Sequence, residues 1–220
     1  MNHLSEAVRW LLDAATWSGP TGLGVRTVEH LQYTLVAVLL SAAIALPIGL
    51  AIGHFGRGKN VAVAGTGVVR ALPTLGLLTL VALFTGLGLT APMVAFITLA
   101  VPSIIAGAYS GVESVDPRVV DAARAQGMNG WQTLLTVQIP LGLPLIIGGI
   151  RLAVLQVVGT ATIAAYVGAG GLGVPLFLGL RTNDYPLLLA ASLVVIALAI
   201  VLDGAFDLAQ RLIRRLPGFA

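Results

Sequence analysis

Long apolar runs separated by short polar segments dominate this chain. Residues 31–53 contain no Asp, Glu, Lys or Arg over 23 positions, and about 20 apolar residues suffice for a helix to cross a bilayer. Residues 71–112 are equally free of these charges, but they are too long for one helix and contain Gly86, Gly88 and Pro92. The pattern predicts five membrane-spanning helices, roughly at 31–53, 71–88, 91–110, 143–166 and 186–207.

The N-terminal thirty residues follow a different pattern. Between residues 2 and 17, apolar side chains recur at helical spacing with charges between them, which predicts a short helix lying on the membrane surface. The charges at Glu6, Arg9 and Asp13 argue against a cleavable signal peptide. We therefore expect two parts, an extracytoplasmic amphipathic segment at 1–30 and a transmembrane domain at 31–220.

Basic residues give this predicted bundle an orientation. Short loops rich in Lys and Arg stay in the cytoplasm, and one side carries Arg57, Lys59, Arg70, Arg118, Arg124, Arg211, Arg214 and Arg215. The other side carries Arg9, Arg26 and Arg181. We therefore expect a multi-pass protein of the bacterial cytoplasmic (inner) membrane, with its N-terminus outside, its C-terminus in the cytoplasm and a cytoplasmic loop at 113–140.

Composition agrees with a membrane protein and narrows its chemistry. Hydrophobic residues make up 57% of the chain and charged residues 10%, against about 25% charged residues in soluble domains. This excludes a soluble enzyme and a nucleic-acid binder. Zero cysteines exclude disulfides and thiolate metal sites, and we expect no metal and no cofactor. A polytopic membrane enzyme is a remote alternative, because His3, His30 and His54 lie outside or at the edges of the predicted spans.

Glycine motifs in the chain resemble nucleotide sites in spacing but not in context. Gly53 to Lys59 has the spacing of a phosphate-binding loop, yet Asn60 follows it and a membrane helix precedes it. Gly168 to Gly173 reads Gly-x-Gly-x-x-Gly but also follows a helix. We therefore predict no nucleotide site. The pairs Gly49/Gly53 and Gly107/Gly111 predict close helix packing.

The loop at 113–140 is the most informative segment. Asp116 before Pro117 predicts a helix start, and Gly127 predicts its end. A second helix is expected from Trp131 to about Ile139-Pro140. A DNA-reading helix-turn-helix would need a basic recognition helix, and residues 131–140 contain no Lys or Arg. A plain solvated linker would not need two small alanines before a terminal glycine, so the pattern favours docking into another protein.

These residues carry a family resemblance. Asp121-Ala122-Ala123, then Gly127, then Val137-x-Ile139-Pro140 resembles the EAA signature of permease subunits of bacterial ABC importers. That signature reads Glu-Ala-Ala, three residues, Gly, nine residues, Ile-x-Leu-Pro. Asp replaces Glu, Val replaces Ile and Ile replaces Leu, while every spacing is kept. Three further segments are most similar to the osmoprotectant branch, which imports glycine betaine, carnitine or choline. One of them opens at Arg70, and the other two end at Tyr109 and at Gly173. Permeases of the methionine importer also end a span in a glycine-rich segment similar to the one that ends at Gly173.

The resemblance implies a type I ABC importer permease fold and a division of labour. The loop would be a coupling helix, with Asp121, Ala122, Ala123, Gly127, Ile139 and Pro140 contacting a cytoplasmic ATP-binding subunit. A second permease chain, identical or homologous, would complete the pathway, and an extracytoplasmic binding protein would deliver substrate. This chain would then carry no catalytic residues, and its other contacts would be with membrane lipid rather than nucleic acid. A methionine or other amino-acid importer is the main alternative, and a simple channel would not need the docking helix.

Polar residues within the spans are candidates for the transport pathway. They are Thr74, Ser103, Gln156 and Thr160, together with Thr79 and Thr162, although polar side chains often serve only to hold helices together. Arg151 stands apart because a charge within a span is costly; an inner gate, a subunit contact and plain anchoring at the interface remain open. Quaternary ammonium ions are held in aromatic cages, and the sequence shows no such cage in this chain.

Overall fold

Helices form all the regular structure between residues 3 and 214, the part of the chain that our computed structural model describes. In chain order they are α1 (His3–Leu12), α2 (Ala14–Trp17), α3 (Leu23–Phe55), α4 (Lys59–Ala71), α5 (Thr74–Thr85), α6 (Thr90–Glu113), α7 (Pro117–Ala125), α8 (Gly130–Thr133), α9 (Ile139–Thr160), α10 (Gly173–Thr182) and α11 (Tyr185–Arg214). A π-helical turn at Leu134–Gln138 precedes α9, and a 3-10 helix at Ala161–Val167 follows it. The all-α prediction is confirmed. Arg215, one of the basic residues on the predicted cytoplasmic side, lies outside the described residues.

Four helical stretches are long and apolar enough to cross a membrane. They are Leu23–Phe55, Thr90–Glu113, Gly130–Val167 and Tyr185–Ile213. The predicted span at 71–88 differs, because only the 12 residues of α5 (Thr74–Thr85) are helical there. At 1.5 Å per residue α5 is about 18 Å long, shorter than the roughly 30 Å hydrocarbon core. Pro73 separates α5 from α4, since proline lacks the N–H that would continue the preceding helix.

The helix predicted between residues 2 and 17 is present but consists of two pieces. Asp13 ends the first piece and caps the second, because its carboxylate accepts a hydrogen bond from Ala15 N at 3.0 Å. Ala7 is fully buried while Leu12 is exposed, so α1 has one packed and one open face. The following helix α3 starts at Leu23, earlier than the predicted start of that span at residue 31.

The chain forms two compact units, each with its own packing. The first joins the chain up to Val38 with Leu72–Ile97 and Val154–Leu202; the second joins Leu39–Ala71 and Thr98–Ala153 with the chain from Asp203 onward. Within the first unit, Leu78, Ala95 and Val167 form a buried apolar cluster. The backbone N–H of Gly88 donates to Val167 O at 2.9 Å and so ties a loop to the 3-10 helix.

Glycines set the close helix contacts of the second unit, as their spacing predicted. A Cβ added at Gly49 would lie 2.7 Å from Ala108 Cβ, and one added at Gly53 would lie 2.7 Å from Val112 Cβ. Here α3 therefore packs directly on α6. On another face of α6, a Cβ added at Gly107 would lie 2.5 Å from Gly149 Cα. Small residues allow backbones to approach this closely in membrane helix pairs.

Candidate functional site

The helix predicted in the 113–140 segment is α7, and its first turn is capped as expected. Asp116 Oδ1 accepts a hydrogen bond from Arg118 N at 2.8 Å, and Pro117 occupies the first helical position. Proline is suited to this position because its missing N–H would have no helical partner there and its φ is already helical. Two adjacent residues therefore fix where α7 begins.

Gly127 ends α7 by a double hydrogen-bonded turn. Gly127 N donates to Arg124 O at 2.9 Å, and Met128 N donates to Ala123 O at 3.3 Å. These are the two bonds of the Schellman motif, which satisfies carbonyls left unpaired at a helix end. The motif requires a left-handed residue, and Gly127 has a φ of +89°. The sequence prediction of a terminal glycine is confirmed.

The two alanines of α7 differ in exposure, whereas the resemblance implied that both would contact an ATP-binding subunit. Ala122 is exposed, whereas Ala123 is buried with 7% of its surface exposed. Val120, three residues before Ala123, is also buried, and this spacing defines the inner face of the helix. Asp121 is exposed with Ala122. Ala123 therefore packs within the chain, whereas Asp121 and Ala122 lie on the exposed surface of α7.

The second helix of the segment does not end near Pro140, contrary to the prediction. Asn129 and Gln132 cap its start reciprocally, with Gln132 N donating to Asn129 Oδ1 at 2.9 Å and Asn129 N to Gln132 Oε1 at 2.8 Å. The helix then continues through a π-helical turn into α9 as one stretch, Gly130–Val167. Pro140 cannot donate a helical hydrogen bond. The wide π-helical turn just before it locally loosens the hydrogen-bond pattern of the helix. Ile139 and Pro140 consequently lie in the first turn of α9.

The end of α3 anchors this segment. His54 Nδ1 donates to Gln138 Oε1 at 2.5 Å, and a Cβ added at Gly130 would lie 3.3 Å from His54 Nε2. Beside this contact is an apolar cavity of about 410 Å³, with Leu50, Phe55 and Trp131 among its lining residues. Trp131 is 71% exposed. The sequence placed His54 only at the edge of a span, and no local pattern indicated Gln138 as its partner.

Arg151 forms an ion pair that the sequence did not predict. Its Nε donates to Asp203 Oδ1 at 2.6 Å, and its Nη1 lies 3.4 Å from Gln210 Oε1. Gln210 in turn donates through Nε2 to Pro144 O at 3.1 Å. A charge within a span is stabilised by such a partner. The neighbouring acid, Asp207, pairs with Arg211 four positions later at 2.8 Å.

The four pathway candidates lie on three helices. Thr74 begins α5, whereas Ser103 is a buried residue of α6, with 2% of its surface exposed. Gln156 and Thr160 both lie on α9, where the Thr160 hydroxyl donates to Gln156 O at 2.7 Å. That bond satisfies the hydroxyl within its own helix. Gln156 and Thr160 are four residues apart and share one face of α9, and their role in a pathway stays a prediction.

A polar cluster in the first unit went unrecognised in the sequence. Glu29 Oε2 accepts hydrogen bonds from Arg26 Nη1 and Gly171 N, both at 2.9 Å, and the Tyr33 hydroxyl donates to Ala169 O. Gly170 has a φ of +90°, and a Cβ there would lie 2.8 Å from Glu29 Oε2. The Gly-x-Gly-x-x-Gly run therefore packs its backbone onto α3. The glycine spacing was visible in the sequence, but its partner was more than a hundred residues away.

Within residues 3–214, no group of three or more His, Asp or Glu side chains is arranged to hold a metal ion. The capped α7 and the segment anchored by His54 together present an exposed surface that includes Asp121 and Ala122. Ala122 is small and the Asp121 carboxylate can accept hydrogen bonds. The arrangement is suited to contact with another protein.

Comparison with known families identifies this architecture. The family described as the binding-protein-dependent transport system inner membrane component matches residues 22–215. The chain belongs to this family. It is therefore a membrane permease of a transport system, as its several apolar helices also indicate.

Relatives of this permease cover most of both chains. It is 31% identical over 186 residues to the glycine betaine/carnitine/choline transport system permease protein OpuCB of Bacillus subtilis, covering 84% of this chain and 86% of the relative. It is 34% identical over 204 residues to the osmoprotectant import permease protein OsmW of Salmonella typhimurium, covering 90% and 92%. The resemblance to osmoprotectant permeases is confirmed.

Solved structures agree with the type I ABC importer permease fold. An inward-facing MetNI methionine ABC transporter superimposes with a TM-score of 0.77 at 23% identity, covering 88% of this chain and 97% of the other. An amino acid ABC transporter solved with histidines gives a TM-score of 0.68 at 21% identity, covering 98% and 99%. At these identities the likeness concerns the fold.

Proposed function

We propose that this permease forms the membrane pathway of an ATP-driven importer for osmoprotectants that carry a quaternary ammonium group, such as glycine betaine, carnitine and choline. The observation that carries the proposal is the set of relatives named for these solutes, which match at 31–34% identity over more than four fifths of this chain. Solved structures of a methionine transporter match at 22–23% identity, a likeness of fold.

The proposed orientation has the N-terminus outside and the C-terminus in the cytoplasm. It rests on the excess of Lys and Arg in the segments that would then be cytoplasmic. The amphipathic segment at 1–30 would lie on the outer surface, and the 113–140 loop would be cytoplasmic. Reporter fusions after Arg57 and Asp116 should both give a cytoplasmic signal. An external signal at Asp116 would refute both the orientation and the proposed coupling role.

The 113–140 loop would transmit the ATPase cycle to the membrane helices. The exposed Asp121 and Ala122 would contact the ATP-binding subunit, while the buried Ala123 and the turn at Gly127 would hold α7 in shape. Ile139 and Pro140 would pass movement directly into α9, because the segment is one continuous helix from Gly130 onward. A continuous helix of this kind can carry coupling between two sites.

Other tasks would lie on partner subunits. ATP would be hydrolysed on a cytoplasmic ATP-binding subunit, a second permease chain, identical or homologous, would complete the pathway, and an extracytoplasmic binding protein would supply the affinity for substrate. We expect no cofactor and no nucleic acid among the partners. Membrane lipid is the occupant we propose for the apolar cavity beside Trp131, because its lining offers almost only hydrocarbon surface.

Competitive uptake in cells lacking their own osmoprotectant importers tests the substrate class. Cells expressing this permease with the ATP-binding subunit and binding protein that co-purify with it should accumulate labelled glycine betaine, choline or carnitine. Unlabelled methionine should not compete. Accumulation of methionine without any of the three quaternary ammonium compounds would favour the alternative importer.

A further inference from the structure

A cavity in the first unit brings together residues that the sequence left unrelated. It has a volume of about 590 Å³, and its walls include Glu6 and Trp10 from α1, Arg26 from α3, and Asp184 from the α10–α11 connection. Ligand sites in proteins commonly measure about 300–1,000 Å³. Because α1 is the helix predicted to lie on the membrane surface, the cavity is formed between that helix and the bundle of the same unit.

The charges on the cavity wall sum to a negative value. Arg26 is neutralised by its ion pair with Glu29 at 2.9 Å, which leaves the carboxylates of Glu6 and Asp184. Asp184 Oδ1 accepts a hydrogen bond from Leu187 N at 3.1 Å, which orients the side chain without removing its charge. Glu6 lies 3.8 Å from His3 Nδ1. Two acids facing one cavity favour a cationic occupant.

An aromatic ring accompanies these acids. Trp10 lines the cavity and is only half-buried. Indole is the aromatic side chain that binds cations best through its face. A quaternary ammonium ion cannot donate hydrogen bonds, so an aromatic face together with carboxylates at a distance is the environment that it prefers over a compact ion-pairing site.

We propose that this cavity binds the quaternary ammonium group of the solute on its way from the binding protein to the pathway, with Trp10 supplying an aromatic face and Glu6 and Asp184 the negative charge. This rests on the proposed function, which supplies the class of solute. A single indole is less than a full cage, so binding is weak and permits release. Since glycine betaine, choline and carnitine share the ammonium group, the cavity does not discriminate among them.

Choline binding to the permease assembled with its ATP-binding subunit, without the binding protein, tests the proposal directly. In nanodiscs free of choline lipids, line broadening of the choline methyl signal gives the dissociation constant. Trp10→Leu should raise it about 3- to 30-fold, whereas Trp10→Phe, which keeps a ring, should change it less. Trp17→Leu is the matched control, because Trp17 lines a different cavity. Equal choline affinity in Trp10→Leu and the wild type would overturn the proposal.

Substitutions that remove a charge separate the electrostatic contribution to choline binding from the contribution of cavity shape. Glu6→Gln keeps the size of the side chain. Asp184→Asn introduces a side chain that caps helices as well as Asp does. Both should weaken choline binding, and 3,3-dimethylbutan-1-ol, the uncharged carbon analogue of choline, should bind far more weakly than choline. Equal binding of the analogue would refute a cation site. If phosphatidylcholine nanodiscs change the environment of the Trp10 ring while soluble choline does not, the cavity holds a lipid headgroup and the proposal is wrong.

Uptake measurements distinguish failure of this proposal from failure of the proposed function. With all subunits present, Trp10→Leu should slow uptake of glycine betaine, choline and carnitine by similar factors. Normal uptake by Trp10→Leu would remove the cavity from the route and leave the importer assignment intact. No uptake of any of the three by the wild type would refute the importer assignment, while the choline titration would still decide whether the cavity binds the cation.

Discussion

Two adjacent alanines in α7 allow docking to another protein to be separated from folding. Ala122 is exposed and Ala123 is 7% exposed, so the same change at each position acts on a different surface. Ala123→Trp forces a large ring into packed surroundings and should destabilise the permease by about 1–3 kcal/mol. Ala122→Trp adds the ring outside the chain and should leave the free energy of unfolding almost unchanged.

At Ala122 the added ring acts on the partner instead. If α7 inserts into a groove packed like a protein interior, the same overpacking cost of about 1–3 kcal/mol would weaken association with the ATP-binding subunit roughly 5- to 150-fold. Thermal unfolding of the solubilised permease measures the first effect, and co-purification of the ATP-binding subunit measures the second. Wild-type co-purification and uptake with Ala122→Trp would refute docking through this face of α7.

Three further changes test other parts of the account. Gly127→Val should cost about 1–2 kcal/mol, because its φ of +89° suits β-branched residues poorly; a lower apparent melting temperature than that of Gly127→Asn checks this. Arg151→Asp and Asp203→Arg should each reduce the amount of permease in the membrane, and the double exchange should restore it on quantitative blots; no restoration would contradict the pairing. Gln156→Ala and Thr160→Val should slow uptake of glycine betaine, choline and carnitine alike, and a changed order of preference in competitive uptake would place recognition in this chain.

Local rules predicted the capped helix and the close helix contacts correctly. Asp116, Pro117 and Gly127 act on residues within one turn of themselves, so their effect can be read from neighbours in the sequence. The glycine pairs of α3 and α6 predicted close approach because small residues four apart leave an open stripe on any helix. The spacing of the EAA-like segment likewise identified the family.

Features that depend on distant partners could not be predicted in the same way. Arg151 and Asp203 are 52 positions apart, and Glu29 meets Gly171 across 142 positions. Helix continuity through Pro140 depends on the π-helical turn before it, which has no established sequence signature. Ala123 is buried because its face of α7 packs on the rest of the chain. Both faces of α7 carry small or apolar residues, so the sequence did not indicate which of them would be buried.

ATP-driven uptake into proteoliposomes tests the central claim most directly. The permease, its ATP-binding subunit and its binding protein would be reconstituted with ATP enclosed on the side of the 113–140 loop. The account predicts accumulation of labelled glycine betaine, choline or carnitine that stops when ATP is omitted and falls sharply with Ala122→Trp. ATP-dependent accumulation of methionine with none of these three solutes, or uptake that persists without ATP, would contradict it.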